Sequence, residues 1–158
     1  MYDTRNVDAI FTALLDLTGC LNSPRQDDVL LQEAGVSLDR ALFPLLVRLS
    51  VAGAMGVAQL AERAGRDPST VSRQLAKLEE LGLVKRPAKS ADMRVREAAI
   101  TKAGTRTVAA IAMARRKLLG ELLENWTAEE CQVFPRLLQR LADAMKEKLR
   151  GLDKGANA

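Results

Sequence analysis

The 158-residue chain contains no histidine, only two cysteines and few aromatic residues, which make up 3% of it. Without histidine it cannot carry Ser-His or Cys-His catalysis or a histidine-rich zinc site. Two cysteines give no disulfide framework, and a chain of this length buries enough apolar surface to fold without one. Since paired carboxylates, a phosphate-binding glycine loop and a nucleophile beside a base are also missing from the pattern, we expect no catalytic residues, no cofactor and no metal.

The sequence also has no long apolar segment. Residues Met1–Arg5 lack the basic and apolar regions of a signal peptide, and no run of about 18 apolar residues occurs. We therefore expect a cytoplasmic protein that does not enter a membrane and whose cysteines are reduced.

Positive charge is concentrated in one block of the chain. The whole sequence has 24 basic and 20 acidic residues, a net charge of +4. Residues 57–106 hold eleven basic and six acidic side chains, a net of +5, so the rest of the chain is close to neutral. A local basic excess of this kind indicates contact with a polyanion.

Abundant alanine and leucine, with few β-branched or aromatic residues, favour helix along most of the chain. Apolar residues at helical spacing predict three N-terminal helices. These cover residues 4–21, residues 27–34 before Gly35, and a segment that Ser37 caps and Pro44 kinks.

Two further helical patterns, at 57–64 and 68–81, are separated by a short connection. Gly65 stands where the first must end, and Asp67-Pro68 is typical of an N-cap followed by proline at the first helical position. The pair predicts a helix-turn-helix. Residues 83–86 and 94–100 predict two short strands behind it, and such a hairpin makes a winged helix.

The C-terminal part predicts two more helices. The first covers residues 102–124. The second begins at the capping box Thr127-Ala128-Glu129-Glu130, with Trp126 and Cys131 in the positions of a hydrophobic staple. It runs to about Leu149 with a kink at Pro135, and residues 151–158 are expected to be frayed.

These patterns predict a mainly α fold with a small β-hairpin wing, that is, a winged helix-turn-helix plus a helical dimerisation region. We place N-terminal helices in residues 1–52, which serve dimerisation and start the DNA-binding lobe. The winged helix-turn-helix follows in 53–104, C-terminal dimerisation helices in 105–150, and a disordered tail in 151–158.

The helix predicted over residues 68–81 has an apolar and a polar face. Its core positions are Val71, Leu75, Leu78 and Leu81. Its outward positions are small hydroxyls followed by long donors: Ser69, Thr70, Arg73, Gln74 and Lys77. Such a face suits a helix that enters the major groove. Any exposed amphipathic helix also has a solvated polar face, so the helix by itself does not decide between groove binding and an ordinary solvated surface.

The predicted hairpin favours the interpretation that this helix enters the major groove. Its tip carries Lys89, Asp92, Arg94 and Arg96, which together can lie across a phosphate backbone and offer an arginine to the minor groove. The alternative is an ordinary charged hairpin. The basic block, the helix pair and the basic hairpin in this order favour nucleic-acid binding.

Five ordered motifs resemble the MarR family of bacterial transcriptional regulators. They are Leu60-Ala61-Glu62-Arg63-Ala64-Gly65, Pro68-Ser69-Thr70-Val71-Ser72-Arg73, Leu78-Glu79-Glu80-Leu81-Gly82-Leu83-Val84-Lys85-Arg86, Asp92-Met93-Arg94 and Ile100-Thr101-Lys102-Ala103-Gly104. One motif would be weak, but their combination at these spacings is specific. Two features depart from the family pattern: Val57 stands where a Ser or Thr cap is usual, and the wing is less acidic.

The resemblance implies a homodimer that places one winged helix from each subunit on a pseudo-palindromic operator in double-stranded DNA. We expect a repressor. The resemblance implies major-groove contacts from Ser69, Thr70, Ser72, Arg73, Gln74 and Lys77. It also implies minor-groove insertion of Arg94, and we add Lys89 and Arg96 to the DNA-binding set.

The terminal helices carry more apolar positions than one winged-helix core can cover. These positions are Val7, Ile10, Phe11, Leu14, Leu137, Leu138, Leu141 and Met145. Burial against each other within one chain is one solution. We expect instead a two-fold dimer with a large apolar interface, because monomers rarely leave such a patch exposed.

A small organic effector, an anionic aromatic or lipophilic acid, is expected from the resemblance to bind between the dimerisation helices and the winged helix. The candidate pocket residues combine positive charge with apolar surface: Arg40, Leu45, Leu46, Arg48 and Met55. Binding there would lower DNA affinity through a coupling of about 1–3 kcal/mol.

The two cysteines leave an alternative open. An oxidant-sensing branch of the same family pairs cysteines from regions similar to those of Cys20 and Cys131. Cys20 has no adjacent base that would stabilise a thiolate, and Cys131 fits the hydrophobic staple, so we expect buried structural thiols. A second alternative is a winged-helix module for protein assembly that binds no DNA, although such a module would not require the basic block.

Overall fold

The computed structural model describes residues 3–86 and 97–155, with side chains up to Gly151. The elements in chain order are α1 (Thr4–Leu21), α2 (Pro24–Glu33), α3 (Phe43–Ala52), β1 (Met55–Gly56), α4 (Val57–Ala64), α5 (Pro68–Glu80), β2 (Val84–Lys85), β3 (Glu97–Ile100), α6 (Lys102–Leu122) and α7 (Ala128–Gly155). The predicted mainly α fold with a small β-hairpin wing is confirmed. Among the helices within these ranges, none has both the length and the hydropathy needed to cross a membrane.

The chain forms two compact units, Met1–Lys117 and Leu118–Ala158. The first contains the main core. In the second, none of the side chains described between residues 118 and 151 is buried. The domain boundaries predicted from the sequence stay predictions.

The main core joins α3, α4, α5 and the sheet. Its buried members come from each of these elements: Leu42, Leu45, Leu46, Leu49, Met55, Leu60, Ala61, Val71, Leu75, Leu78, Val84 and Ala98. Full burial of a leucine or valine contributes about 1.5–3 kcal/mol. The helix-turn-helix is therefore held by the helix that precedes it, and a smaller cluster of Leu31, Phe43 and Ile111 attaches α2 and α6.

The sheet has three strands in the order β1-β3-β2. Strand β3 is antiparallel to both neighbours, with Met55 opposite Ala98 and Val84 opposite Ile100. The pairing of β2 with β3 forms the base of the predicted hairpin. Strand β1 was not predicted, because two residues are too short to show an alternating pattern.

Two helix starts differ from the predictions, and both differences involve proline. Helix α2 begins at Pro24 rather than Asp27, since proline fits the first turn, where the missing N–H has no partner to lose. Pro44 likewise lies in the first turn of α3. The predictions of a kink there and of a Ser37 cap are therefore wrong. No side chain among the described residues caps α3, and Asp39 accepts from the Ala41 N–H at 2.7 Å in the turn before it.

The capping box of the last helix is confirmed. The Glu130 N–H donates to the Thr127 hydroxyl at 3.2 Å, and the Thr127 N–H donates to the Glu130 carboxylate at 2.7 Å. The Trp126 ring contacts the Phe134 ring edge to face, with the two ring centroids 5.1 Å apart. Helix α7 continues to Gly155, so the predicted fraying from Gly151 onward is wrong up to that residue. Residues 156–158 lie outside the described range.

The connection from β3 to α6 is tied to the end of α5. The Thr101 hydroxyl donates to the Gly82 carbonyl at 2.6 Å and accepts from the Gly104 N–H at 3.1 Å, which caps α6. Gly104 is buried, and a Cβ built on it would lie 2.2 Å from the Leu83 carbonyl oxygen. Glycine is required here because the backbones approach so closely.

We predict that Gly104→Ala lowers the free energy of unfolding by about 1–3 kcal/mol, because the added methyl forces the backbone of α6 away from Leu83. Urea denaturation at 25 °C measures the change. The control is Gly120→Ala in the same helix, where no atom lies within 4 Å of the added Cβ. It is expected to raise the free energy of unfolding by about 0.5–1 kcal/mol. Equal effects of the two substitutions would contradict the close approach.

Candidate nucleic-acid interface

Helix α5 divides sharply into a buried and an outward side. Val71, Leu75 and Leu78 have no exposed surface. On the other side, Ser69, Arg73 and Lys77 are exposed, and Thr70, Ser72 and Gln74 are half-buried. Because the apolar residues recur at helical spacing, their burial forces the polar residues to the surface. The predicted division of faces is confirmed for Val71, Leu75 and Leu78. The prediction that Leu81 faces the core is wrong, because the helix ends at Glu80 and Leu81, which follows it, is 47% exposed.

The start of α5 is capped by Asp67. Its carboxylate accepts from the N–H groups of Ser69 and Thr70 at 3.0 and 3.2 Å, and from the Ser69 hydroxyl. The pKa of the Asp67 carboxyl is lowered, first by the hydrogen bond from the Ser69 hydroxyl and then by the Thr70 N–H. Ser69 is thus part of the cap as well as of the exposed face.

The long side chains of the outward face make only weak contacts with their own helix. Arg73 Nη2 lies 3.5 Å from the Thr70 hydroxyl. Lys77 Nζ lies 3.1 Å from Glu80 Oε2, and both side chains are more than half exposed. Exposed pairs of this kind contribute little stability. Arg73 and Lys77 can therefore turn toward a polyanion at small cost.

Two arginines of the basic block face inward, which the sequence did not indicate. Arg86 is half-buried at the end of β2 and donates from Nη2 to the Ser72 carbonyl of α5 at 3.0 Å. Its Nε lies 3.8 Å from Glu79 Oε2. The arginine thereby ties the base of the hairpin to α5.

Arg66 is the second inward arginine. It follows Gly65, which ends α4 in the left-handed conformation at φ 63°. From there its Nη1 donates to the Ala41 carbonyl at 2.7 Å and to Gln74 Oε1 at 2.9 Å. Its position directly after a helix-ending glycine is the one sequence signal that could have set it apart, since an arginine there is at the turn rather than on a helix face.

The predicted DNA-binding residues of the wing are not placed by the structure. Lys89, Arg94 and Arg96 lie outside the described residues, as does the predicted strand start at 94–96. Strand β2 is the next element after α5 and pairs with β3 to form the base of the hairpin. The predicted basic tip is therefore close to the outward face of α5 in sequence. Their roles stay predictions.

The candidate effector residues fall into two groups. Arg40 and Arg48 are exposed, whereas Leu45, Leu46 and Met55 are 0%, 0% and 2% exposed. The three apolar residues pack inside the main core rather than around an opening that a ligand could enter, because α3 needs them to hold α4 and α5. The placement of these five residues does not support a shared effector pocket, which stays a prediction.

Both cysteines are exposed in the chain. The expectation of buried thiols is therefore wrong for the single chain. Cys20 lies in the last turn of α1 and Cys131 in the first turns of α7, and the helices that carry them have outward apolar faces. The predicted hydrophobic staple between Trp126 and Cys131 would have covered the thiol, but the ring of Trp126 contacts Phe134 instead.

We predict that the cap makes the stability of the chain depend on pH in a way that Asp67→Asn removes. A carboxylate with a lowered pKa in the folded state stabilises fully above its ordinary pKa, and this contribution is lost as the pH falls through the lowered value. Asparagine keeps the cap acceptor and does not titrate. Thermal melts from about pH 6 to about pH 2 should show wild type losing more stability than the variant. Parallel profiles would contradict the prediction.

A model of the MarR family matches residues 38–95. The uncharacterized HTH-type transcriptional regulator YxaD of Bacillus subtilis is 36% identical to the chain over 108 residues. The match covers 68% of this chain and 76% of that protein.

Solved structures agree with the sequence match. A MarR family protein from Bacillus stearothermophilus has a TM-score of 0.79 at 23% identity, over 92% of this chain and 99% of that one. A MarR family transcriptional regulator from Silicibacter pomeroyi has a TM-score of 0.64 at 25% identity, over 89% of this chain and 92% of that one. By its sequence and its winged-helix fold, the chain belongs to the MarR family of transcriptional regulators.

Proposed function

We propose that the chain is a homodimeric, ligand-responsive repressor that binds a pseudo-palindromic DNA operator through α5 and the wing, residues 83–101. The observation that carries the proposal is the complete burial of one side of α5, which turns Arg73 and Lys77 outward within the basic block. A helix with small residues at its start and long donors further along fits the major groove.

The outward residues of α5 take different roles in this proposal. Arg73 can make two hydrogen bonds to the acceptors of guanine, and Lys77 suits a phosphate as a flexible point charge. The N–H groups of Ser69 and Thr70 already donate to Asp67, so in this proposal the two residues contact DNA through their hydroxyl groups. The resemblance adds Arg94 in the minor groove, with Lys89 and Arg96 on the backbone.

The terminal helices support dimerisation. Large apolar side chains of α1 and α7 are exposed in the chain: Val7 49%, Ile10 51%, Phe11 61%, Leu137 51%, Leu138 42% and Met145 53%. Leu14 and Leu141 are half-buried. Neither α1 nor the described part of α7 has a buried residue. Helices this apolar need a covering surface, and a second copy offers a self-complementary one.

We propose an effector of small-organic-acid type. Arg40 and Arg48 remain accessible, and the groove between α1 and α2 offers apolar walls with one arginine, Arg25, and one carboxylate, Asp16. This groove has a volume of about 700 Å³ and is lined by Leu15, Cys20, Arg25 and Val29 among others. Its size is that of a small-molecule site.

Selection of bound sites from random duplexes tests the proposed function. We predict an inverted repeat whose half-site centres are about 10–10.5 base pairs apart, because two-fold symmetry sets the recognition helices one DNA turn apart. Arg73→Ala should relax the preference at particular base pairs, whereas Lys77→Ala should weaken binding to all sequences about equally. Repeating the selection with a library of small organic acids tests the effector. A chain that dimerises but enriches no site would favour the assembly module.

We predict that Leu138→Asp gives a monomer of 17.2 kDa in sedimentation equilibrium, because a charge would be buried in the proposed interface. The matched control is Val51→Asp. Val51 is also apolar and is 83% exposed, but it belongs to α3 rather than to a terminal helix. Its variant should remain a dimer. A monomeric wild type, or the same mass for both variants, would contradict the proposed interface.

The oxidant-sensing alternative gains support from the exposure of Cys20 and Cys131. In the single chain both thiols are reachable by an oxidant. Loss of duplex binding after mild peroxide treatment, prevented by Cys20→Ala, would favour this alternative over an organic effector.

A further inference from the structure

Arg66 and Gln74 form the one side-chain to side-chain hydrogen bond among the described residues that joins an inward arginine to an outward-face residue of α5. Arg66 Nη1 donates to Gln74 Oε1 at 2.9 Å and to the Ala41 carbonyl at 2.7 Å. Both residues are half-buried. The bond therefore lies at the boundary between the core and the proposed DNA-reading surface.

The backbone fixes Arg66 in this place. Gly65 N–H donates to the Glu62 carbonyl at 3.2 Å, and Arg66 N–H donates to the Ala61 carbonyl at 3.0 Å. This double closure is the Schellman pattern that ends a helix. Since the main chain of Arg66 is held at both the turn and α4, its guanidinium approaches α5 from a defined side.

The chemistry of the pair fixes the orientation of the Gln74 amide. Arginine has donors and no acceptor, so only the amide oxygen of Gln74 can face it. A bond from a guanidinium is charge-assisted and about twice as strong as a neutral one. The oxygen is thereby directed toward Arg66, with one of its two lone pairs engaged, while Nε2 has no hydrogen-bond partner among the described residues.

Base recognition by glutamine requires a particular set of atoms. Adenine is read by two bonds, in which the amide oxygen accepts from N6 and the amide nitrogen donates to N7. Guanine presents two acceptors, N7 and O6, to the same groove. A glutamine whose oxygen is directed toward Arg66 turns its amide donors to the groove, and these donors match guanine.

We propose that Arg66 is a specificity-determining positioning residue that restricts Gln74 to donating, so that Gln74 selects guanine rather than adenine at its base pair. The inference rests on the proposed function, since it assumes that α5 lies in the major groove. Arg66 does not touch the DNA in this proposal. It acts by holding the Gln74 oxygen toward the Ala41 turn.

Binding of the full-length chain to duplexes that differ at single base pairs of the selected site tests the proposal. Arg66→Met removes the donors and keeps the apolar stem. It should raise the affinity for adenine relative to guanine about tenfold at one base pair per half-site. The matched control is Arg63→Met, which removes an exposed arginine from the last turn of α4 and should leave every base preference unchanged.

A second variant keeps the proposal falsifiable if Arg66→Met does not fold. Gln74→Glu retains an oxygen for Arg66 and replaces the donor by an acceptor, so the preference at the same base pair should change from guanine to cytosine, whose N4 is a donor. Unchanged preference in Arg66→Met or in Gln74→Glu, or changes at different base pairs, would overturn the proposal. A wild-type chain that binds all duplexes equally well, with no preference at any base pair, would instead contradict the proposed function.

Discussion

Burial of one side of α5 is the constraint on which the rest of the structure depends. Val71, Leu75 and Leu78 have no exposed surface, and each contributes about 1.5–3 kcal/mol by leaving water. Turning the helix by one residue, about 100°, would expose these side chains and bring polar ones into the core. The outward position of Arg73 is therefore a consequence of apolar packing rather than of any contact that Arg73 makes. The same packing explains why α3 belongs to the lobe, since Leu45, Leu46 and Leu49 form the opposite wall.

Two arginines then secure the helix at its polar edges. Arg86 holds the Ser72 carbonyl from the side of the hairpin, and Arg66 holds Gln74 from the side of the turn. The basic block thus contains two kinds of positive charge. The inward arginines donate hydrogen bonds to carbonyl and amide oxygens of neighbouring elements. Outward arginines such as Arg73 remain at the surface, where a polyanion can contact them. A net charge of the segment does not distinguish them, because the difference lies in which carbonyls and amides each guanidinium reaches.

Helical spacing predicted most of the fold because the apolar period is regular in α1, α4 and α5. Predictions failed where a single proline or a short strand decided the outcome: Pro24 starts α2, Pro44 fits the first turn of α3, and β1 is too short for a pattern. For the site, the face of α5 could be predicted, since it follows from the same period. The partners of Arg66 and Arg86 could not, because they are backbone and amide groups 8 to 25 residues away in sequence. For Arg66, the sequence shows only its place at a turn, directly after Gly65. The exposure of Cys20 was also missed, since burial in a terminal helix depends on what covers it.

The dependence of duplex affinity on salt tests the central claim most directly, namely that the outward basic face of α5 and the wing bind DNA. Each phosphate neutralised by a basic side chain contributes about −0.9 to the slope of log affinity against log salt. With several such contacts in each half of a dimer, the account predicts a steep negative slope for the wild-type chain. An affinity that does not change with salt, or no binding to any duplex at low ionic strength, would contradict it.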